Sequence, residues 1–205
     1  MLRPLISRED LADLPIRRYE GRVVQIESSD DLEEARSDIS RETLVGLDTE
    51  TRPAFRKGES YLPCLVQVAT ARAVYLFPLR YRDSFPFLAW VLAAPGIVKA
   101  GVALAFDLRQ LRLVFPFTEV NVADLGVIGR RAGLAQAGVR NLAGIVLGYR
   151  IPKGSRTSNW AAARLSAAQV AYAATDAWIC RELYLRFADL GAPGTPPTDP
   201  APAST

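Results

Sequence analysis

Histidine is absent from all 205 residues. That absence removes the side chain most often used as a general base near neutral pH and the commonest nitrogen ligand for zinc. A Ser-His-Asp triad, a Cys-His pair and any histidine-containing zinc site are excluded, so chemistry here must run on carboxylates, hydroxyls, basic side chains or a metal held by oxygen. Cysteine is scarce. Cys64 and Cys180 stand far apart in apolar surroundings, which reads as two buried reduced thiols rather than a disulfide. No stretch approaches the roughly 18 uncharged apolar residues that a membrane span requires. The N-terminus (Arg3, Arg8, Glu9, Asp10) lacks the apolar core of a secretory signal. The expectation is a soluble, cytoplasmic protein with no membrane partner. Internal repeats of about 20 to 50 residues are also lacking, which sets repeat architectures aside.

What remains is ordinary globular composition, 49% apolar and 23% charged, in a chain long enough to bury one core. The net charge of +3 is unevenly spread: nine of the 22 acidic residues fall between Glu27 and Glu50. From Leu125 to Thr175 there is no carboxylate and there are seven cations, Arg130, Arg131, Arg140, Arg150, Lys153, Arg156 and Arg164. Such a field suits a polyanion. Arginine outnumbers lysine 22 to 3, which fits bidentate phosphate contacts and equally fits an arginine-biased genome.

Residues 1–21 show no sustained period and read as an N-terminal extension, packed on the domain or partly free. Residues 192–205 are proline-rich and nearly devoid of large apolar side chains, the composition of a disordered tail. Between them the periods alternate. Ser29 to Ile39 reads as a polar-faced helix, and Thr43 to Asp48, Cys64 to Ala69 and Val74 to Phe77 read as strands, the last two as a hairpin. Phe85 to Ala94 and Leu104 to Val114 read as helices, with Ile97 to Ala100 and Val120 to Ala123 extended. The last helix is best marked: Ser166 and Gln169 form a capping box, apolar residues run from Val170 to Leu190, and Gly191 ends it. The fold class is α/β, a mixed sheet with helices on its faces.

Asp48 and Glu50 stand at the C-terminal end of a buried strand, where positions i and i+2 project to one face. Adjacent carboxylates repel unless a cation lies between them, so the pair suits a hard divalent ion. A second Asp-x-Glu, Asp31 and Glu33, lies in a polar helical stretch and reads as a solvated face. Tyr172 and Asp176, at i and i+4, share a face of the alanine-rich last helix. Asp176 is the one acid between Leu125 and Arg181, and burial of a lone carboxylate demands a partner. Asp107 and Asp124 are further candidates that spacing alone does not separate.

Taken together, LDTE (47–50), Phe106-Asp107 in GVALAFD, and YAATD (172–176) resemble, in order and separation, the three motifs of the DEDD 3'-5' exonucleases of the tyrosine subtype. The histidine subtype is impossible for this chain. KGSRTSNW (153–160) is similar to the segment before the third motif in ribonuclease D relatives and the Werner syndrome exonuclease domain. The resemblance covers about residues 22–190, within an expected exonuclease domain of residues 22–191, and implies an RNase H-like fold with a five-stranded mixed sheet flanked by helices. It also implies two divalent ions, Mg2+ or Mn2+. Asp48, Glu50 and Asp176 would hold one, Asp48 would bridge to the second, and Asp107 would support the second. Asp124 has no place in the pattern and is left as structural.

Tyr172 would orient the attacking water; a phenol with a pKa near 10 is a poor base at neutral pH. The implied partner is single-stranded or 3'-ended RNA or DNA, with no oligomeric state indicated. Arg150, Lys153 and Arg156 would meet phosphates, with Ser158, Asn159 and Trp160 shaping the adjacent wall. Trp160 also reads as a core anchor, and Lys57 matches a position where relatives touch the strand being cut. Two rival readings stand beside the exonuclease: a diribonucleotide or short-oligonucleotide phosphodiesterase, and a catalytically silent nucleic-acid-binding module.

Overall fold

The computed structural model describes residues 2–54, 56, 58–154 and 158–195; Lys57, Arg156 and residues 196–205 of the expected tail lie outside the described residues. A short first helix, α1 (Arg8–Asp13), is capped by Ser7, whose hydroxyl accepts from the Asp10 amide. There follow β1 (Arg22–Gln25), α2 (Ser29–Ile39), β2 (Leu44–Thr51), β3 (Pro63–Ala69), β4 (Ala73–Pro78), α3 (Phe85–Ala93), β5 (Val98–Gly101) and α4 (Leu104–Leu111). The chain continues with β6 (Val122–Asp124), α5 (Leu125–Arg131), α6 (Val139–Leu142) and α7 (Ala167–Asp189). The strands form one sheet in the order β1-β4-β3-β2-β5-β6. β2, β3 and β4 run antiparallel to one another, while β1, β5 and β6 each lie parallel to a neighbour.

The sheet thus has six strands where five were expected. The addition is β1, whose RVVQ sequence carries two apolar residues, too few to show a period of two. Tertiary pairing makes the strand: it docks parallel on β4, and the Ile26 amide just beyond it donates to the Leu76 carbonyl at 2.9 Å. β2 also runs three residues past Asp48, so Glu50 is part of the strand rather than of the following loop.

The pleat sorts the core into two layers. Val45, Leu47, Val66, Val68, Tyr75 and Phe77 face one way and pack with side chains of α2, α3 and α4. Leu65, Ala69, Val74 and Leu76 face the other way, against Ala173, Ala174 and Ala177 of α7. A third cluster joins Leu44 and Ala100 to α5, α6 and the C-terminal half of α7. Helix α7 begins with the expected capping box, Ser166 with Gln169. It ends in a Schellman motif, in which Gly191 takes a left-handed φ of 64° and the Ala192 amide donates to the Phe187 carbonyl at 2.9 Å. Ala192 is therefore buried as part of the cap, not the first residue of a free tail. Both cysteines are free, Cys180 buried and Cys64 half-buried. Among the described residues no helix is long and apolar enough to cross a membrane.

The N-terminal extension lies along the domain as a strap. The Gln136 side chain bonds both the amide and the carbonyl of Ile6, at 2.9 and 3.2 Å. The backbone of Ile16 bridges to that of Arg150, and the Tyr19 amide donates to the Thr175 hydroxyl of α7 at 3.1 Å.

Helix α7 meets β2 backbone to backbone. A Cβ placed on Gly46 would overlap the Ala177 carbonyl and approach the Arg181 amide nitrogen to 2.9 Å. Overpacking of this kind costs about 3 kcal/mol, so Gly46→Ala should lower the melting temperature by roughly 6–12 °C in a chain of this size. Gly96→Ala, where a Cβ meets nothing within 4 Å, should leave it unchanged or slightly raised. Differential scanning calorimetry of the two variants checks the contact.

Candidate active site

The sheet is incomplete where the acids gather. β2 pairs with β3 along almost its whole length but with β5 only through Leu44–Gly46. β5 stops at Gly101, and Ala103 in a left-handed conformation (φ 58°) turns the chain into α4. Among the described residues, the last positions of β2 therefore leave one edge of their backbone without a strand. Asp48 and Glu50, two apart, project there from the face covered by α7. Close packing at Gly46 brings in Asp176, which lies on α7 and is buried at 7% exposure. One oxygen from each of Asp48, Glu50 and Asp176 falls within 4.8 Å of the others. Asp107 arrives on the first turn of α4, bonded to the Thr49 side chain.

The electrostatics follow from this crowding. Burial, then the charges of Asp176 and Glu50, hold the Asp48 carboxyl well above the usual carboxylate range, against a hydrogen bond from the Thr49 amide. Burial pushes Asp107 up to about 6, opposed by its bond to Thr49. Tyr172 lies one turn before Asp176 and hydrogen-bonds it. Burial and the Asp176 charge drive its phenol upward from 10, so the ring keeps its proton. The loop before α7 holds this ring in place: a Cβ on Gly154 would overlap the Tyr172 side chain, so only glycine lets the backbone pass there. Trp160 packs beside the Tyr172 ring, with ring centroids 5.9 Å apart.

Comparison with known proteins assigns the chain to a family. The family model for 3'-5' exonucleases matches residues 23–191. This chain belongs to the 3'-5' exonuclease family. The ribonuclease D of Gluconacetobacter diazotrophicus is 33% identical over 165 residues, covering 78% of this chain and 41% of that protein. The chain thus spans about two fifths of the length of the ribonuclease D proteins it matches. Among solved structures, the Nibbler exonuclease domain of Aedes aegypti superposes with a TM-score of 0.74 at 22% identity, over 87% of this chain and 94% of that one. NrnC of Brucella melitensis, solved bound to pGG, gives 0.63 at 22% identity, over 87% and 84%. The fold is the RNase H-like α/β fold of these exonucleases.

Beside the acids of this exonuclease domain lies a cavity of about 350 Å3, lined by Arg18, Lys153, Gly154, Ser158, Trp160, Gln169, Tyr172 and Asp176 among others. Lys153 and Ser158, two of the expected substrate contacts, line this cavity. Trp160 is buried at 2% in the core and also belongs to the cavity lining. Two expected contacts are engaged elsewhere. The Arg150 Nε donates to the Leu14 carbonyl at 3.0 Å, tying down the strap, and Arg150 does not line the cavity. Asn159 accepts from the Ala161 amide through its side chain and from Gln169 Nε2 through its carbonyl, so it shapes the loop and stays outside the cavity. Lys57 and Arg156 lie outside the described residues.

Asp124 caps α5, accepting from the amides of Gly126 and Val127 at 2.9 and 3.1 Å, which is the structural part left to it. Asp31 is likewise a capping acid, accepting from the Glu27 amide and the Ser28 hydroxyl. Two residues of the site carried no reading in the sequence, Gly154 and Arg18. The first stood inside the KGSRTSNW segment, where its glycine was the available signal; the second sits in an aperiodic stretch with none.

A carboxyl whose pKa is raised on folding binds its proton more tightly in the folded state. The stability it contributes is present below the unfolded value, near 4, and is lost as pH rises through the folded value. For Asp107 that window runs from about 4 to about 6. In EDTA, Asp107→Asn should therefore gain melting temperature over the wild type across that interval and hold the gain above it. Asp48→Asn should be more stable than the wild type at pH 7.5 and lose that advantage toward pH 4. Thermal melts at pH 4, 6 and 7.5 test both, and an Asp48→Asn protein less stable than wild type at pH 7.5 contradicts the crowding.

Proposed function

We propose that the domain is a metal-dependent nuclease that hydrolyses the terminal phosphodiester at the 3' end of RNA or DNA and releases nucleoside 5'-monophosphates one at a time. The observation that carries this reading is the convergence of Asp48, Glu50 and Asp176 within 4.8 Å, with Asp107 and Tyr172 adjoining, in a chain without histidine. The donor set fits a hard divalent cation: every ligand is a carboxylate oxygen, and positive charge relieves the repulsion that raises Asp48. Asp48, Glu50 and Asp176 would hold one ion, and Asp48 with Asp107 a second. Bound Mg2+ or Mn2+ supplies neutralisation of the anionic phosphodiester and acidification of water.

The chain's own groups do the rest. Tyr172, holding its proton, orients the attacking water beside Asp176. Lys153 and Ser158 hold substrate phosphate, Trp160 walls the cavity, and Lys57 and Arg156 keep their assignment to phosphate on sequence alone. The water oxygen bonds to phosphorus and gives a proton to solvent, the P–O3' bond breaks, and the departing 3'-oxygen takes a proton from solvent to leave a shortened strand with a free 3'-hydroxyl. Two free thiols accord with a cytoplasmic location. A second reading keeps this chemistry and shortens the substrate to a dinucleotide. The compact cavity favours it, as does the shared fold with NrnC, which was solved with pGG. The silent binding module is disfavoured by the complete set of four acids and Tyr172.

The test is a time course on 5'-labelled single strands of about 16 nucleotides, RNA beside DNA, with Mg2+, Mn2+ or EDTA. A ladder shortening from the 3' end is expected, absent in EDTA and at least about a hundredfold slower in Asp48→Asn and Asp176→Asn. Asp124→Asn should retain most of the rate. Inert polymers with cleaved dinucleotides select the second reading, and full activity in Asp48→Asn overturns the metal assignment.

A further inference from the structure

We propose that Arg18, carried into the cavity by the N-terminal strap, is a phosphate-binding residue of this nuclease site. The inference rests on the function proposed above and adds to it a residue that lies ahead of the family match, which begins at residue 23.

The strap is fixed on both sides of Arg18. Before it, the Arg17 amide donates to the Arg150 carbonyl at 2.9 Å, and the Arg17 guanidinium lies over the Tyr149 ring, 5.8 Å from its centroid. After it, the Tyr19 amide is held by the Thr175 hydroxyl, one residue from Asp176, and the Tyr19 ring meets Trp178 at 6.0 Å. Arg17 and Tyr19 are thereby committed to the domain. Arg18, between them, is exposed and lines the cavity that also contains Lys153, Tyr172 and Asp176. Among the described residues no carboxylate lies within ion-pair distance of Arg18, although Asp176 shares its cavity.

An arginine on a backbone held at both ends has already lost much of the conformational freedom that binding would otherwise remove. Its planar fork of donors matches phosphate oxygens. It stands with Lys153 in a cavity that opens onto the carboxylate cluster, so a strand entering the site passes between cations and the acids that act on it. The strap thus has a use in binding: the hydrogen bond of Arg150 to Leu14, which takes Arg150 out of the cavity, helps place Arg18 there instead.

The experiment measures binding apart from cleavage. Fluorescence anisotropy of a labelled single strand is followed in Mg2+ across a salt series with Asp48→Asn protein, and again with Arg18→Ala, Arg18→Lys or Arg82→Ala added. Arg18→Ala should weaken binding about tenfold, and the slope of log K against log salt should become shallower by about 0.7, one phosphate contact on a single strand. Arg18→Lys should keep the slope with intermediate affinity, and Arg82→Ala, exposed and outside the cavity lining, should match the parent. Equal melting temperatures guard against misfolding, and a salt slope is unmoved by a merely structural role. Unchanged affinity and slope in Arg18→Ala, in a protein whose wild type cleaves the strand, overturn this inference alone. Absence of both binding and cleavage in the wild type overturns the proposed function along with it.

Discussion

The close contact between α7 and β2 at Gly46 is the constraint on which the site depends. A helix normally stands off a sheet by the depth of two side-chain layers. Here one layer is missing, because position 46 has no side chain and α7 offers Ala173, Ala174 and Ala177. The gap closes until the Ala177 carbonyl rests on the strand. The consequence is electrostatic: Asp176, a residue before Ala177, is pressed toward Asp48 and Glu50 at the strand's end. Packing that favours the fold thereby imposes a repulsion that opposes it. Such a conflict between local cost and global fold is what functional sites display.

The same logic accounts for the surroundings. β5 is short, so β2 keeps a bare edge around which α4 delivers Asp107 from the opposite layer of the core. The loop before α7 uses Gly154 to approach Tyr172 closely, and Trp160 packs beside the ring. The four acids and Tyr172 are held by a strand and helices, while Trp160, Lys153 and Arg18 are held by loop and strap. Rigid placement suits residues that must meet one reacting phosphorus, whereas phosphate contacts tolerate more play.

Much of this was legible in the residues. A buried apolar run ending in Asp-x-Glu places both carboxylates on one face of a strand wherever the strand stops, and the capping box at Ser166 fixes the phase of α7. The resemblance to the exonuclease motifs added Asp107, which spacing did not distinguish from Asp124. The structure separates the two by their partners: Thr49 beside the acid cluster for one, the amides of α5 for the other. What was not legible depends on tertiary contact. β1 is too short for a period and exists by pairing with β4. Arg150, expected at the substrate, bonds Leu14 instead, and Arg18, on which the sequence offered no reading, lines the cavity, because local sequence does not reveal that a strap from residues 2–19 crosses the domain.

On our reading, α7 and β2 together build a divalent cation site from Asp48, Glu50 and Asp176. Titration calorimetry of Mn2+ into the wild type and into Asp176→Asn, near pH 7 in two buffers of different ionisation enthalpy, addresses it directly. The account predicts Mn2+ binding by the wild type with release of protons, since Asp48 binds its proton more tightly than an ordinary carboxylate. It also predicts loss of that binding in Asp176→Asn. Equal Mn2+ affinity in the two proteins would contradict it.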